Sequence, residues 1–411
     1  MKELGSPNTT GGAAFPPTRM AIAVMVVHDA MTIAAEVWEL RLPHAMNPPK
    51  LQVDSRRALP VADSITRIGC LMLGGIGDIL TTTPTLAALK VLYPQASLVL
   101  VLRRRLAPLV NGNPHVDAVI PYDSSNLAAR FEFFRSLRRE RFDLWVDLHT
   151  PTFHTVSSLT KVFLRNSLIM RIAKTGNRLG YAVRFLRRRL THAVEVPGSR
   201  QLASENIVDT TLALVGPPPG TSRRKIMAVS EDDRDWAKRT LPADERTRFS
   251  FFFGGRQSAN HWPAKRAATF VNLLLTRFPA ADLVLIGDRH EVALTEAMLE
   301  HVDSRVRARV VDLVGCADLG QTAAVFERCT VAISTDSGPM HIADAVGVPL
   351  VALFCGKTPL PIWVPTGERS VVLYHHVSCA PCLLAECPHS NLCMDSISPD
   401  EVLRAVIRFA E

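Results

Sequence analysis

The stretch "RIGCLMLGGIGDILTTTPTLAALKVLYPQA" (67–96) decides how the folded part of this chain begins. An apolar run over 66–73 predicts a buried strand, and 79–93 has the composition of a helix. Between them lies a glycine-rich turn that ends on Asp78. Glycines let a backbone approach a ligand closely, so an acidic side chain here either caps the helix or acts as a base on a bound molecule.

Two series of alternating apolar runs and amphipathic segments follow, which is typical of parallel α/β construction. The stiff sequence "GPPPGTSRR" (216–224) separates them and predicts a linker. We therefore expect two α/β lobes with a substrate cleft between them at the carboxyl ends of the strands. The predicted parts are an N-terminal extension of uncertain order (1–63), a first lobe (64–215), the linker, a second lobe (225–397) and a C-terminal helix (398–411).

Charge is concentrated in one part of the chain, which carries a net charge of +8 overall. Residues 151–194 contain nine Lys or Arg and no Asp or Glu, including Arg187, Arg188 and Arg189. This segment is either a solvated helix face or a patch for phosphates or an anionic membrane surface. No nucleic-acid-binding module is recognisable, so nucleic acid is not expected as a partner.

Four of the eight cysteines are clustered, and the other four lie in apolar runs. The cluster is a cysteine-rich segment (379–393) with the spacing Cys379-x2-Cys382-x4-Cys387-x5-Cys393. It departs from the paired CxxC motifs of a zinc ribbon. A metal or iron–sulfur site, reduced thiols and a disulfide all remain open as interpretations of this segment. The remaining cysteines, predicted as small core residues, are Cys70, Cys316, Cys329 and Cys355.

Two more loops at predicted strand ends have unusual composition. "GGRQSANHWPAKR" (254–266) combines small and polar residues before a helix, an arrangement that presents backbone N–H groups to an anion. "STDSGPMHIADAVGVP" (334–349) places Asp336, Ser337 and Gly338 at a strand–helix junction, with His341 one turn later. Neither a Gly-x-Ser-x-Gly hydrolase motif nor a dinucleotide or P-loop fingerprint is present.

Together, "LGGIGDILTTTPTLAALKVLYP", "HWPAKRAATFVNLL", "IGDRHE" and "STDSGPMHIADAVGVPLVALF" resemble the family 9 glycosyltransferases. The best-known members of that family are ADP-heptose:lipopolysaccharide heptosyltransferases. The resemblance implies a GT-B fold, α/β with two facing Rossmann-like lobes and a cleft between them. It implies an inverting transfer from a nucleotide-sugar donor, expected to be ADP-heptose, to a lipopolysaccharide-type acceptor, with no further cofactor.

The resemblance also implies residue roles. Asp78 matches the catalytic base, and Gly75 and Gly77 lie beside it on the acceptor side, to which we also assign Arg187, Arg188 and Arg189. The residues that match donor-binding positions are Gly255, Arg256, Ser258, Asn260, Glu291, Asp336, Ser337, Gly338 and His341. Asn260 stands where the family commonly has a diphosphate-neutralising Lys, and Arg256, His261 or Lys265 are candidates to replace that charge.

Two other functions stay open at this point. One is a nucleotide-sugar epimerase of GT-B type, and the other is a nucleotide-sugar-binding protein of envelope assembly that has lost activity. The sequence has no uninterrupted apolar run long enough to span a bilayer. We expect a cytoplasmic protein that associates peripherally with the cytoplasmic face of the bacterial inner membrane.

Overall fold

A computed structural model describes residues 59–151, 156–183, 186–241 and 246–411, without the side chains of 156–160 and Ser199. Almost all of the predicted N-terminal extension, and Arg184 of the basic segment, lie outside the described residues. No helix in the described ranges has the length and apolar character needed to cross a bilayer.

The first lobe is built on a parallel sheet of six strands in the order β3-β2-β1-β4-β5-β6. Its strands are β1 (Arg67–Leu71), β2 (Ser97–Arg103), β3 (Ala118–Tyr122), β4 (Leu144–Asp147), β5 (Asn177–Tyr181) and β6 (His192–Val194). Its helices are α1 (Ile76–Leu92), α2 (Leu127–Arg139), α3 (Val156–Ala173), α4 (Ser199–Ser204) and α5 (Ile207–Ala213). Strands β1, β2 and β4 are almost completely buried, which explains why their sequences are continuous apolar runs.

The second lobe repeats this plan, with strands in the order β12-β11-β10-β7-β8-β9. Its strands are β7 (Arg248–Phe252), β8 (Asp282–Leu285), β9 (Val310–Asp312), β10 (Val331–Thr335), β11 (Leu350–Phe354) and β12 (Ser370–Tyr374). Its helices are α6 (Glu231–Thr240), α7 (Ala264–Arg277), α8 (Val292–Leu299), α9 (Ser304–Arg307), α10 (Leu319–Glu327), α11 (Gly338–Val346), α12 (Leu392–Asp395) and α13 (Pro399–Ala410).

Both sheets therefore have the doubly wound order of a Rossmann fold, which reverses between β1 and β4 and between β7 and β10. Ligands of such sheets bind outside the carboxyl ends of the strands at this reversal point. The loops after β1, β7 and β10 lie there, and they are the three loops that the sequence singled out. The prediction of two parallel α/β lobes is confirmed.

Helix α1 of the first lobe packs against α11 of the second, and their apolar faces belong to one buried cluster. A second cluster fills the other face of the second sheet, and a third lies under α2 and α3. The C-terminal helix α13 packs on α7 within the second lobe. The contact between α1 and α11 brings the amino ends of these two helices together.

Some local predictions were wrong. The helix after the glycine turn already begins at Ile76 and includes Pro84, and the segment 202–215 contains two helices instead of one. Asn206 separates these two, because its side chain caps α5 by accepting a hydrogen bond from Val208 N–H. Cys316 is exposed and is not a core residue. The elements that were not predicted are helices α3, α6, α9 and α12 and strands β5, β6 and β12.

Candidate active site between the two lobes

The amino end of α1 presents Asp78 at the carboxyl edge of the first sheet. Gly75 is the N-cap, and its N–H donates to Asp78 Oδ2 at 2.7 Å. Asp78 is partly exposed, and no hydrogen bond within the described part of the chain occupies its Oδ1. The side chain therefore caps the helix with one oxygen and leaves the other for a ligand.

The amino end of α11 faces this carboxylate from the second lobe, so closely that glycine is required on both sides. A Cβ atom on Gly338 would lie 2.7 Å from Ile76 Cδ1. A Cβ atom on Gly77 would lie 2.7 Å from His341 Cδ2 and 2.8 Å from Nε2. The "GGIGD" turn and the "TDSGPMH" segment thus meet across the lobe interface, and His341 lies against the backbone next to Asp78.

His341 is held by a buried ion pair that the sequence did not reveal. Lys225 Nζ lies 2.8 Å from Asp344 Oδ2 and 3.1 Å from His341 Nδ1. Asp344 also accepts hydrogen bonds from the N–H groups of Thr366 and Gly367. Because an ammonium group only donates, His341 Nδ1 is an acceptor and the ring proton of the neutral imidazole is on Nε2.

Burial, reinforced by the positive charge of Lys225, lowers the pKa of His341 well below its ordinary value. The ring therefore stays neutral at physiological pH. Trp363 packs edge-on against it with ring centroids 5.8 Å apart. His341 is thus a fixed neutral N–H donor at the interface between the lobes.

Asp336, at the carboxyl end of β10, is the second unusual acid of this region. Burial raises the pKa of Asp336 to about 7, while the positive charges of Lys357 and Lys225 act in the opposite direction. Asn260 Nδ2 donates to the backbone oxygen of Asp336 at 2.7 Å, and Asn260 Oδ1 accepts from Cys355 Sγ. A carboxyl group that titrates near neutral pH in a cleft is typical of a functional site.

The loop after β7 lies beside the α11 amino end. A Cβ atom on Gly255 would be 3.5 Å from Ser337 Oγ. His261 Nε2 donates to Gly255 O at 2.7 Å, so this imidazole supports the loop. Arg256 and Ser258 are exposed in the same loop. Ser337, Gly338, Gly255 and Asn260 are therefore brought to one place.

Glu291 lies deeper in the second lobe. It is buried, packs against Gly254 and Gly287, and accepts a hydrogen bond from Asp288 N–H at 2.9 Å through Oε2. Burial and the neighbouring charge of Asp288 raise the pKa of Glu291. One carboxylate oxygen thus closes a capping box at the start of the next helix, and the residue lies next to the loop after β7.

The three arginines assigned to the acceptor side lie elsewhere. Arg187, Arg188 and Arg189 form a short 3-10 helix that precedes β6, at the amino ends of the strands. Asp78 follows β1 at the carboxyl ends. A five-residue strand spans about 16 Å, so the sheet separates these arginines from Gly75 and Gly77.

A further polar cluster at the carboxyl end of β4 was also missed. His149 Nδ1 lies 2.9 Å from Asp147 Oδ1, and His149 Nε2 accepts from Leu73 N–H just before the glycine turn. Asn166 Nδ2 contacts both oxygens of Asp147 at 3.1 Å. The signal was the strand "LWVD" ending on an acid two residues before a histidine.

The clustered cysteines are free thiols that, with Cys355, line one small cavity beside Lys357. Within the described ranges, no three His, Cys, Asp or Glu side chains are placed to hold one metal ion.

Two Rossmann-like lobes whose helix amino ends meet at the lobe interface are the arrangement of a GT-B fold. Residues 130–393, more than half of the chain, match Glycosyltransferase family 9 (heptosyltransferase). The chain belongs to this family and is a glycosyltransferase, as the sequence motifs predicted.

Relatives agree with this assignment. Lipopolysaccharide heptosyltransferase 3 of Escherichia coli is 24% identical over 305 residues, which cover 72% of this chain and 85% of that protein. Lipooligosaccharide heptosyltransferase 2 of Haemophilus influenzae is 28% identical over 145 residues, covering 35% of this chain and 41% of that one. The solved structure of E. coli ADP-heptose lps heptosyltransferase II is similar in fold, with a TM-score of 0.68 at 21% identity over 84% of this chain and 98% of that chain.

Proposed function

We propose that this protein transfers a heptose from ADP-heptose to a lipopolysaccharide-type acceptor with inversion at the anomeric carbon. The observation that carries the proposal is the close approach of His341 to Gly77, the residue before Asp78, at the lobe interface. The family membership and the names of the relatives support the donor and acceptor classes. The acceptor binds on the Asp78 side, and the donor binds to the second lobe.

In this reaction Asp78 Oδ1 takes the proton of the acceptor hydroxyl. The acceptor oxygen forms a bond to the anomeric carbon, and the bond from that carbon to the donor phosphate breaks. ADP leaves with the electron pair. In this proposal the N–H groups at the α11 amino end and His341 Nε2–H stabilise the negative charge that develops on the leaving group.

The positive charge that Asn260 does not provide comes, we infer, from Lys357. The positive charge of Lys357 counteracts the rise in the pKa of Asp336, which directly precedes Ser337, the N-cap of α11. Arg256 and Lys265 are exposed. Lys357→Met should weaken ADP binding about tenfold or more, the value expected for a lost charge-assisted hydrogen bond. Lys265→Met is the matched control. If calorimetry shows that Lys265→Met weakens ADP binding more than Lys357→Met does, Lys265 provides the charge and Lys357 does not.

The decisive experiment is a transfer assay with ADP-heptose and a truncated core acceptor, read by mass, on Asp78→Asn. Asparagine retains a side-chain oxygen for Gly75 N–H but cannot accept the proton. We expect transfer to fall about 10²- to 10⁴-fold while thermal stability stays near that of the wild type. Unchanged transfer would reduce Asp78 to a helix cap. Donor turnover without acceptor would favour the epimerase, and ADP-heptose binding without any turnover would favour the inactive binding protein.

A further inference from the structure

We propose that the protein docks on the anionic surface of a lipid bilayer through a basic pocket in the first lobe and the exposed apolar residues that lead to it. The inference rests on the proposed function only in that a lipopolysaccharide-type acceptor is anchored in a membrane. The pocket has a volume of about 330 Å³. Its lining residues are Ser167, Met170, Arg171, Lys174, Thr175, Arg178, Arg188 and Arg189.

The pocket lies away from the candidate active site. It is formed by the carboxyl end of α3 and by residues that precede β5 and β6, at the amino ends of the strands. Asp78 and the α11 amino end lie at the opposite edge of the sheets. A ligand in this pocket therefore does not compete with the donor or with the acceptor hydroxyl.

The positive charge of the pocket is not neutralised by the protein. Five of its eight lining residues are cationic and none is acidic. Arg178 donates to two backbone oxygens, of Thr175 and Arg189, which hold its guanidinium without compensating its charge. Arg171, Lys174, Arg188 and Arg189 are exposed and form no ion pair with a carboxylate in the described part of the chain. Such a pocket attracts phosphate groups.

Two large apolar side chains are exposed on α3, the helix whose carboxyl end forms part of the pocket. Leu164 is 58% and Leu168 52% exposed. Leu164, Leu168 and Arg171 recur at i, i+4 and i+7, so they share one helix face that runs into the pocket. Single exposed apolar residues are normal, but two of them in line with a cationic pocket mark an interaction surface.

A bilayer matches this combination better than a nucleic acid does. Phosphate headgroups complement the cations, and the region between headgroups and acyl chains accommodates the exposed Leu164 and Leu168. Duplex nucleic acid presents phosphates at its surface but has no apolar layer for these leucines. Each basic residue near an anionic membrane strengthens binding about fivefold, so two of them contribute about 25-fold.

The test is cosedimentation with vesicles of phosphatidylcholine alone and with added phosphatidylglycerol. Arg171→Gln/Lys174→Gln should lower affinity for the anionic vesicles about 25-fold. Arg239→Gln/Arg404→Gln removes the same charge from exposed positions of the second lobe and should leave that affinity within about twofold. Leu164→Ser/Leu168→Ser should weaken binding while keeping the net charge.

Equal losses in both charge variants, or no loss in either, would overturn the proposal, as would tighter binding of the wild type to duplex DNA than to the vesicles. Transfer to a soluble, truncated acceptor separates this inference from the proposed function. Arg171→Gln/Lys174→Gln should keep that activity, because the pocket lies at the far edge of the sheet. Wild-type protein that binds anionic vesicles but transfers nothing would refute the proposed function alone.

Discussion

Replacing Lys225 by Met tests the network that holds His341. The two side chains of its ion pair with Asp344 are 1% and 2% exposed, so water cannot replace the lost partner. In Lys225→Met the Asp344 carboxylate keeps its hydrogen bonds from Thr366 N–H and Gly367 N–H but loses its only cation among the described residues. His341 Nδ1 loses its donor in the same change.

The size of the expected stability loss follows from the burial of this ion pair. Removing one partner of a buried ion pair costs about 3–5 kcal/mol of unfolding free energy, since the remaining charge stays uncompensated. Replacing both partners costs much less, so Lys225→Met/Asp344→Asn should recover most of that loss. The pKa of His341 should rise in this double variant, because the positive charge that helps to lower it is gone.

Urea unfolding followed by tryptophan fluorescence measures the stability of the two single variants and the double variant. Nitrogen chemical shifts of His341 report which ring nitrogen carries the proton. We expect Nε2–H in the wild type and a mixture of tautomers in the double variant. A single variant within about 1 kcal/mol of the wild type, or a double variant no more stable than the single, would refute the argument from the buried pair.

Two further predictions concern the lobe interface and its acid. Gly77→Ala should clash with His341, lower transfer, and lower the unfolding free energy by about 1–3 kcal/mol, as expected for an overpacked site. Gly176→Ala is the control, because its added methyl group meets nothing within 4 Å. Equal losses of stability for the two variants in differential scanning calorimetry would contradict the close approach of Gly77 to His341. Because the pKa of Asp336 is raised to about 7, the folded state keeps this proton when the unfolded chain has released it. The unfolding free energy should therefore fall as pH rises from about 4 to about 7. Asp336→Asn should lose this pH-dependent contribution to stability. If the difference in unfolding free energy between the wild type and the variant did not change with pH, the pKa of Asp336 would not be raised.

Most of the regular elements could be predicted from local patterns. Buried parallel strands give continuous apolar runs, and helices such as α7 show one apolar stripe. Helix α6 was missed although Ser230 accepts a hydrogen bond from Asp233 N–H, a capping signal readable in "SEDD". Strand β12 was missed although "SVVLY" (370–374) is an apolar, β-branched run like those of the predicted strands.

Some features of the candidate site could likewise be predicted from the sequence, and others only from the tertiary structure. The sequence by itself determined the alternation of strands and helices, the two glycine-containing turns and the acid at the mouth of each, because these depend on neighbours along the chain. Only the tertiary structure decided that Gly77 touches His341, that Lys225 pairs with Asp344, and that the basic segment lies at the far edge of the sheet. These contacts join residues more than a hundred positions apart, or depend on which end of a strand a loop occupies. Strand order and lobe packing set them, and both arise from burial of surfaces that the sequence does not pair in advance.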